Sequence, residues 1–138
     1  MSEFFNDLGN TAAWLATAVA LMAAGFVAVD LLTPGNLRKQ VSDSINAGLL
    51  VGGKMVAVGI IVFSAIWTAP DTLSDGLGEA AAYSILGLII SALVFLLVDL
   101  VLPVRLRQLV EEEQFDPAVI VAVGAEVGLA LVIAAAIS

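Results

Sequence analysis

An all-α membrane protein of four transmembrane helices, built from two duplicated helical hairpins in parallel (pseudo-two-fold) repeat, is the fold class this sequence predicts. The first observation is composition: 61% of the 138 residues are hydrophobic and 13% charged, with mean hydropathy +1.08, whereas a soluble domain carries about a quarter charged residues. A globule this small cannot hide that much apolar surface from water, but a bilayer allows the outside to be apolar as well. The second is the occurrence of four apolar stretches, each near the roughly 20 residues a bilayer requires. The third is that the second half of the chain repeats the first. One four-helix domain over residues 1–138 is expected, with internal repeats over 11–68 and 80–138.

The first stretch runs from Thr11 to Leu32. Glu3 and Asp7 precede it and no Lys or Arg does, so it lacks the positive n-region of a signal peptide and is expected to be a retained helix. Thr33-Pro34-Gly35-Asn36 ends it, since Pro stops a helix and Gly accepts a left-handed residue. The second runs from Ser44 to Trp67 and stops at Ala69-Pro70-Asp71; the third runs from Glu79 to Leu102 and stops at Pro103. The fourth runs from Pro117 to Ile137, with Asp116 as N-cap and Pro117 in the first helical position. Helices are required because an open sheet would leave backbone groups unpaired in lipid.

Orientation follows from basic residues. Arg38 and Lys39 lie between the first two stretches, Arg105 and Arg107 between the last two, and the middle connector and both ends have none. The positive-inside rule therefore puts the first and third connectors in the cytoplasm and both termini outside. Trp14, Trp67 and Tyr83 all fall at the outer ends of their helices, where an aromatic belt sits.

The repeat has an offset of 69 residues from Trp14 to Tyr83, at which Phe26 meets Phe95, Val29-Asp30-Leu31 meets Val98-Asp99-Leu100, Pro34 meets Pro103 and Leu37-Arg38 meets Leu106-Arg107. Past the turn the offset becomes 71, and Ala47, Gly53 and Ala57 meet Ala118, Gly124 and Gly128. Matched Asp, Pro and Arg are not what chance alignment of apolar strings produces. Each unit holds two spans, so both halves enter the membrane in the same sense.

The turn Asp30-Leu31-Leu32-Thr33-Pro34-Gly35-Asn36-Leu37, followed by Asn46-Ala47 and a glycine-bearing helix, resembles the bacterial YjfL-like membrane proteins, the family of domain of unknown function 350. The duplicated hairpin is similar too, so the resemblance covers nearly the whole chain. It implies a bacterial inner-membrane location and no reaction. The second half departs from the pattern, with Val104 and Arg105 in place of Gly and Asn and Glu111-Glu112-Glu113 following.

Lys54 and Glu126 stand near the middle of their helices, where charge is expensive. A mutual ion pair that only fixes packing is one reading; a proton or ion path through Glu126, tuned by Lys54, is another; Lys54 snorkelling toward an interface is the third. Asp30 and Asp99 lie near the cytoplasmic ends of the first and third helices, each eight residues before an arginine, Arg38 and Arg107. Local clamps and a cation vestibule both fit them. Gly48, Gly52, Gly53 and Gly59 on the second helix, and Gly124 and Gly128 on the fourth, have spacings that let helices approach closely, inside the bundle or between subunits. The acidic run Glu111–Glu113 reads as a solvated face or a docking patch for a basic partner.

With no His and no Cys, no nucleophile–base pair, zinc site or haem attachment assembles, and neither a metal nor a cofactor is expected. A net charge of −8 excludes nucleic acid. The expectation is a non-enzymatic oligomeric scaffold or accessory subunit of a membrane complex, with lipid and sister subunits as partners. The alternative is a proton- or ion-conducting protein using Glu126 and Lys54. A carboxylate in the fourth of four helices is also the layout of duplicated proteolipid subunits of rotary ATPases, although their dense glycine series on the first and third helices is missing here.

Overall fold

The computed structural model describes residues 1–32, 37–101 and 106–138, and among these it is all helical. The Thr33–Asn36 turn, Pro103 and Arg105 lie outside the described residues, as do the side chains of Leu37, Val98, Leu106 and Arg107. Six helices follow one another: α1 (Ser2–Leu32), α2 (Leu37–Asp43), α3 (Ile45–Trp67), α4 (Leu73–Val101), α5 (Leu106–Glu111) and α6 (Ala118–Ile137). Four of them, α1, α3, α4 and α6, are long and apolar enough to cross a membrane.

Two helices start earlier than hydropathy suggests. Nothing in Glu3–Asn10 forbids a helix, so α1 begins at Ser2 rather than Thr11 and runs 31 residues. At 1.5 Å per residue that is about 46 Å, longer than the ~30 Å apolar core of a bilayer. Helix α4 begins at Leu73 rather than Glu79, where Thr72 Oγ1 donates to Asp75 Oδ2 at 3.1 Å across the first turn. Hydropathy marks what lipid tolerates, whereas caps and breakers mark where a helix starts. The two connectors expected as plain loops contain the short helices α2 and α5, and α5 is pinned by Leu109, 2% exposed, against Leu50, Val119 and Ala122.

Helix α3 is the core element. In its membrane-spanning stretch 44% of residues are buried, against 17%, 12% and 17% for α1, α4 and α6. Its most extensive interface is with α6, where Ala57 and Ile61 meet Ala130 and Ile133, and Ser64 Oγ donates to the Ala134 carbonyl at 2.8 Å. On another side, Val58 and Val62 meet Leu21 of α1.

Glycines set these approaches, but not the set that spacing suggested. A Cβ on Gly53 of α3 would come within 2.7 Å of Val123 Cγ1 on α6; one on Gly25 of α1, within 2.6 Å of Val58 Cγ1 on α3; one on Gly87 of α4, within 2.6 Å of Ile61 Cγ2 on α3. Each partner of α3 thus closes on it at one glycine. Among the described residues Gly52, Gly124 and Gly128 have nothing within 4 Å, and Gly48 and Gly59 make only loose contacts, so five of the six glycines proposed for packing set no close approach there. The reason is rotational: an apolar helix in lipid has no polar face to dictate which side turns inward.

The N-terminal end of α3 is knitted to the α5–α6 connector. Ser44 caps α3, accepting from Ala47 N at 3.3 Å, and its hydroxyl donates to the Glu112 carbonyl at 2.7 Å. Fully buried Asn46 donates from Nδ2 to the Gln114 carbonyl at 2.7 Å and accepts from Asp116 N at 3.0 Å. Asp116 Oδ1 in turn accepts from Ala118 N at 2.9 Å, which is the expected cap on α6, with Pro117 at φ −55° opening the first turn.

Candidate functional site

Lys54 is carried by α3 and Glu126 by α6, each near the middle of its helix. The tight approach of these helices at Gly53, next to Lys54, and Val123, about one turn before Glu126, brings the two charges together. Lys54 Nζ donates to Glu126 Oε1 in a direct ion pair, and the side chains are 13% and 14% exposed. Phe95 of α4 completes the site, its ring centroid 3.3 Å from Lys54 Nζ, well inside the range of a cation–π contact. Three helices therefore meet at one charge-neutral cluster. No titratable group other than these two belongs to it among the residues that line its surroundings.

Two cavities of about 40 Å³ flank the cluster. One lies between α1, α3 and α4 and is bounded by Gly25, Val29, Lys54, Ser91, Phe95 and Glu126, among others. The other lies between α4 and α6, bounded by Ser91, Val94, Phe95, Ala125, Glu126 and Leu129, among others. Ser91, Phe95 and Glu126 border both.

The remaining candidates are not gathered here. Asp30 is exposed on α1 and makes no ion pair with Arg38 among the described residues, while the turn whose hydrogen bonds would form the other kind of local clamp lies outside them. Helix α1 continues past Asp30 to Leu32, and the carboxylate turns outward while its neighbour Val29 turns in. Asp99 is half-buried on α4 and engaged, and the side chain of its intended partner Arg107 lies outside the described residues. Glu111, Glu112 and Glu113 are exposed. Glu111 and Glu113 border a cavity of about 340 Å³ between α2 and α5, shared with Lys39, Asp43 and Ser44.

Sequence reasoning missed Phe95 as a site residue; its one signal was the repeat match with Phe26. It also missed the small stripe Ala80, Ser84, Gly87, Ser91 on α4, whose spacing of three to four residues marks an inward face. Ala80 and Ser84 are fully buried there. Trp14, expected in an aromatic belt, is half-buried with its ring against Gly76 at the start of α4, whereas Trp67 is 77% exposed and Tyr83 43%.

Comparison with known proteins places this geometry among relatives. The family model described as Domain of Unknown Function (DUF350) matches residues 3–137. A UPF0719 transmembrane protein of Mycolicibacterium paratuberculosis is 34% identical over 109 residues, covering 78% of this chain and 72% of the relative. A UPF0719 transmembrane protein of Mycobacterium bovis is 32% identical over 140 residues, covering 100% of this chain and 92% of the relative. No solved structure matches.

Proposed function

This chain belongs to the DUF350 family, and we propose that it is a non-enzymatic scaffold or accessory subunit of a membrane complex, working as an oligomer in the bacterial plasma membrane. The observation that carries the reading is the Lys54–Glu126 pair: the two charges inside the spanning helices neutralise each other and join α3 to α6. Charge inside a membrane is retained either for chemistry or to specify packing, and a mutual pair with an aromatic ring over the ammonium supports the packing role. The outward faces of α1, α4 and α6, with Val19, Val27, Leu93, Leu97, Val121 and Val132, are the surfaces for lipid and sister subunits. The two halves, α1-α2-α3 and α4-α5-α6, repeat one order of long helix, short helix and span, which supports a parallel duplication about an axis along the membrane normal. Both termini face outward, on the basic-residue rule.

The test is the mass of the protein released from native-membrane nanodiscs. A discrete oligomer or a defined complex supports the scaffold; a particle holding one chain and lipid alone sinks it.

Proton or ion conduction is the second reading, favoured by the cavities that reach Glu126 from two sides. It predicts flux in proteoliposomes above empty vesicles, abolished by Glu126→Gln. Absence of flux from a folded, inserted sample removes this reading and leaves the first standing.

A further inference from the structure

We propose that the two cavities beside the Lys54–Glu126 pair are a water-binding site, so that the middle of this membrane bundle holds a small hydrated centre bordered by Ser91, Phe95 and Glu126. The argument begins with hydrogen-bonding capacity. An ammonium has three N–H donors. Among the described residues Lys54 gives one to Glu126 Oε1 and faces the Phe95 ring with the charge. Glu126 accepts from Lys54 at Oε1, and its second oxygen has no protein donor among the described residues. The pair is therefore neutral overall but short of partners at both ends. In hydrocarbon no lipid group supplies them, and a charged group left short is costly.

The space needed is present where the capacity is unmet. A water requires a cavity of roughly 10–15 Å³ and two to four polar partners. Each cavity is about 40 Å³, which admits one or a few waters. The first cavity offers Lys54, Glu126 and the Ser91 hydroxyl; the second offers Glu126 and Ser91. All other lining side chains are apolar, so water in either place is held at these groups. Ile61, Val119 and Ala130, by contrast, are fully buried among apolar neighbours. Ser91 is the positioning residue, because it alone adds a neutral donor and acceptor to both cavities. The inference holds whether the protein is a scaffold or a conductor, since it concerns how the charges are satisfied.

Water-edited solid-state NMR of the labelled protein in bilayers tests it. Magnetisation from water is expected to reach Lys54 Nζ and Glu126 Cδ at the pace of the exposed Glu113, and ahead of Ile61 and Ala130. Ser91→Val, which removes the hydroxyl, is expected to slow the transfer to Glu126 while the Lys54–Glu126 contact persists in the same spectra. Transfer to Glu126 as slow as to Ile61 in the unmodified protein overturns the proposal, and that measurement depends on no variant folding. A hydrated Glu126 that ignores Ser91→Val overturns the assignment of these two cavities as the water site.

Discussion

Lys54 of α3 and Glu126 of α6, 72 residues apart in the chain, form a direct ion pair in the middle of the bundle, with the Phe95 ring of α4 over the ammonium. One contact thus ties together three of the four long helices, and the stability of the fold is expected to depend on both charges together rather than on either.

Removing one member leaves the other buried and uncompensated. Lys54→Met and Glu126→Leu are each expected to cost about 3–5 kcal/mol, while the double substitution is expected to be near neutral. Denaturant titration of the protein in detergent micelles, read as a double-mutant cycle, checks this. Equal and additive losses in the cycle would mean that the two side chains do not interact.

Helix approach gives a second expectation. Gly53→Ala forces a methyl toward Val123 and is expected to destabilise by about 1–3 kcal/mol, with relief from Val123→Ala. Gly124→Ala and Gly128→Ala meet nothing among the described residues and are expected to leave the unfolding midpoint unchanged. A change in oligomer mass for the second pair, without a change in unfolding, would assign those glycines to a subunit contact.

The α3–connector clasp rests on Asn46. Its replacement by Ala leaves the Gln114 carbonyl and the Asp116 amide without their partner and is expected to cost about 2 kcal/mol. Hydrogen exchange at Asp116 is expected to speed up ahead of that at α6. Unchanged protection at Asp116 would show that the connector is held by other contacts.

Topology is directly measurable because the chain has no cysteine of its own. In intact cells an impermeant maleimide is expected to label Ser2→Cys and to spare Ser42→Cys until the membrane is broken. The reverse pattern would invert the orientation drawn from Arg38, Lys39, Arg105 and Arg107.

Much of the fold was legible from residues that act locally. Pro70 and Pro117, and the caps at Ser44 and Asp116, work within one helical turn, so the limits of α3 and α6 could be read directly. The starts of α1 and α4 could not be read from hydropathy, because Glu3, Asp7 and Asp75 are polar yet compatible with a helix. Helices α2 and α5, of seven and six residues, are too short for periodicity to declare them.

The candidate site was legible in part. Lys54 and Glu126 stand out because a charge within an apolar stretch is conspicuous in any alignment-free reading. Phe95 was hidden because an aromatic residue among Leu and Val looks like more of the same, and the register of Asp30 with Arg38 says nothing about which way the carboxylate turns.

By itself the sequence determined the membrane class, the number of spanning segments and the presence of two charges inside them, since these depend on composition over about 20 residues. Only the tertiary structure decided that α3 is the buried helix, that Gly25, Gly53 and Gly87 mark close approaches between α3 and its neighbours, and that Lys54, Glu126 and Phe95 meet. The physical reason is that lipid is as apolar as the bundle interior. A helix apolar on every side carries no hydrophobic signal for its own rotation, so the inward face is chosen by shape and by the few polar groups that must find one another.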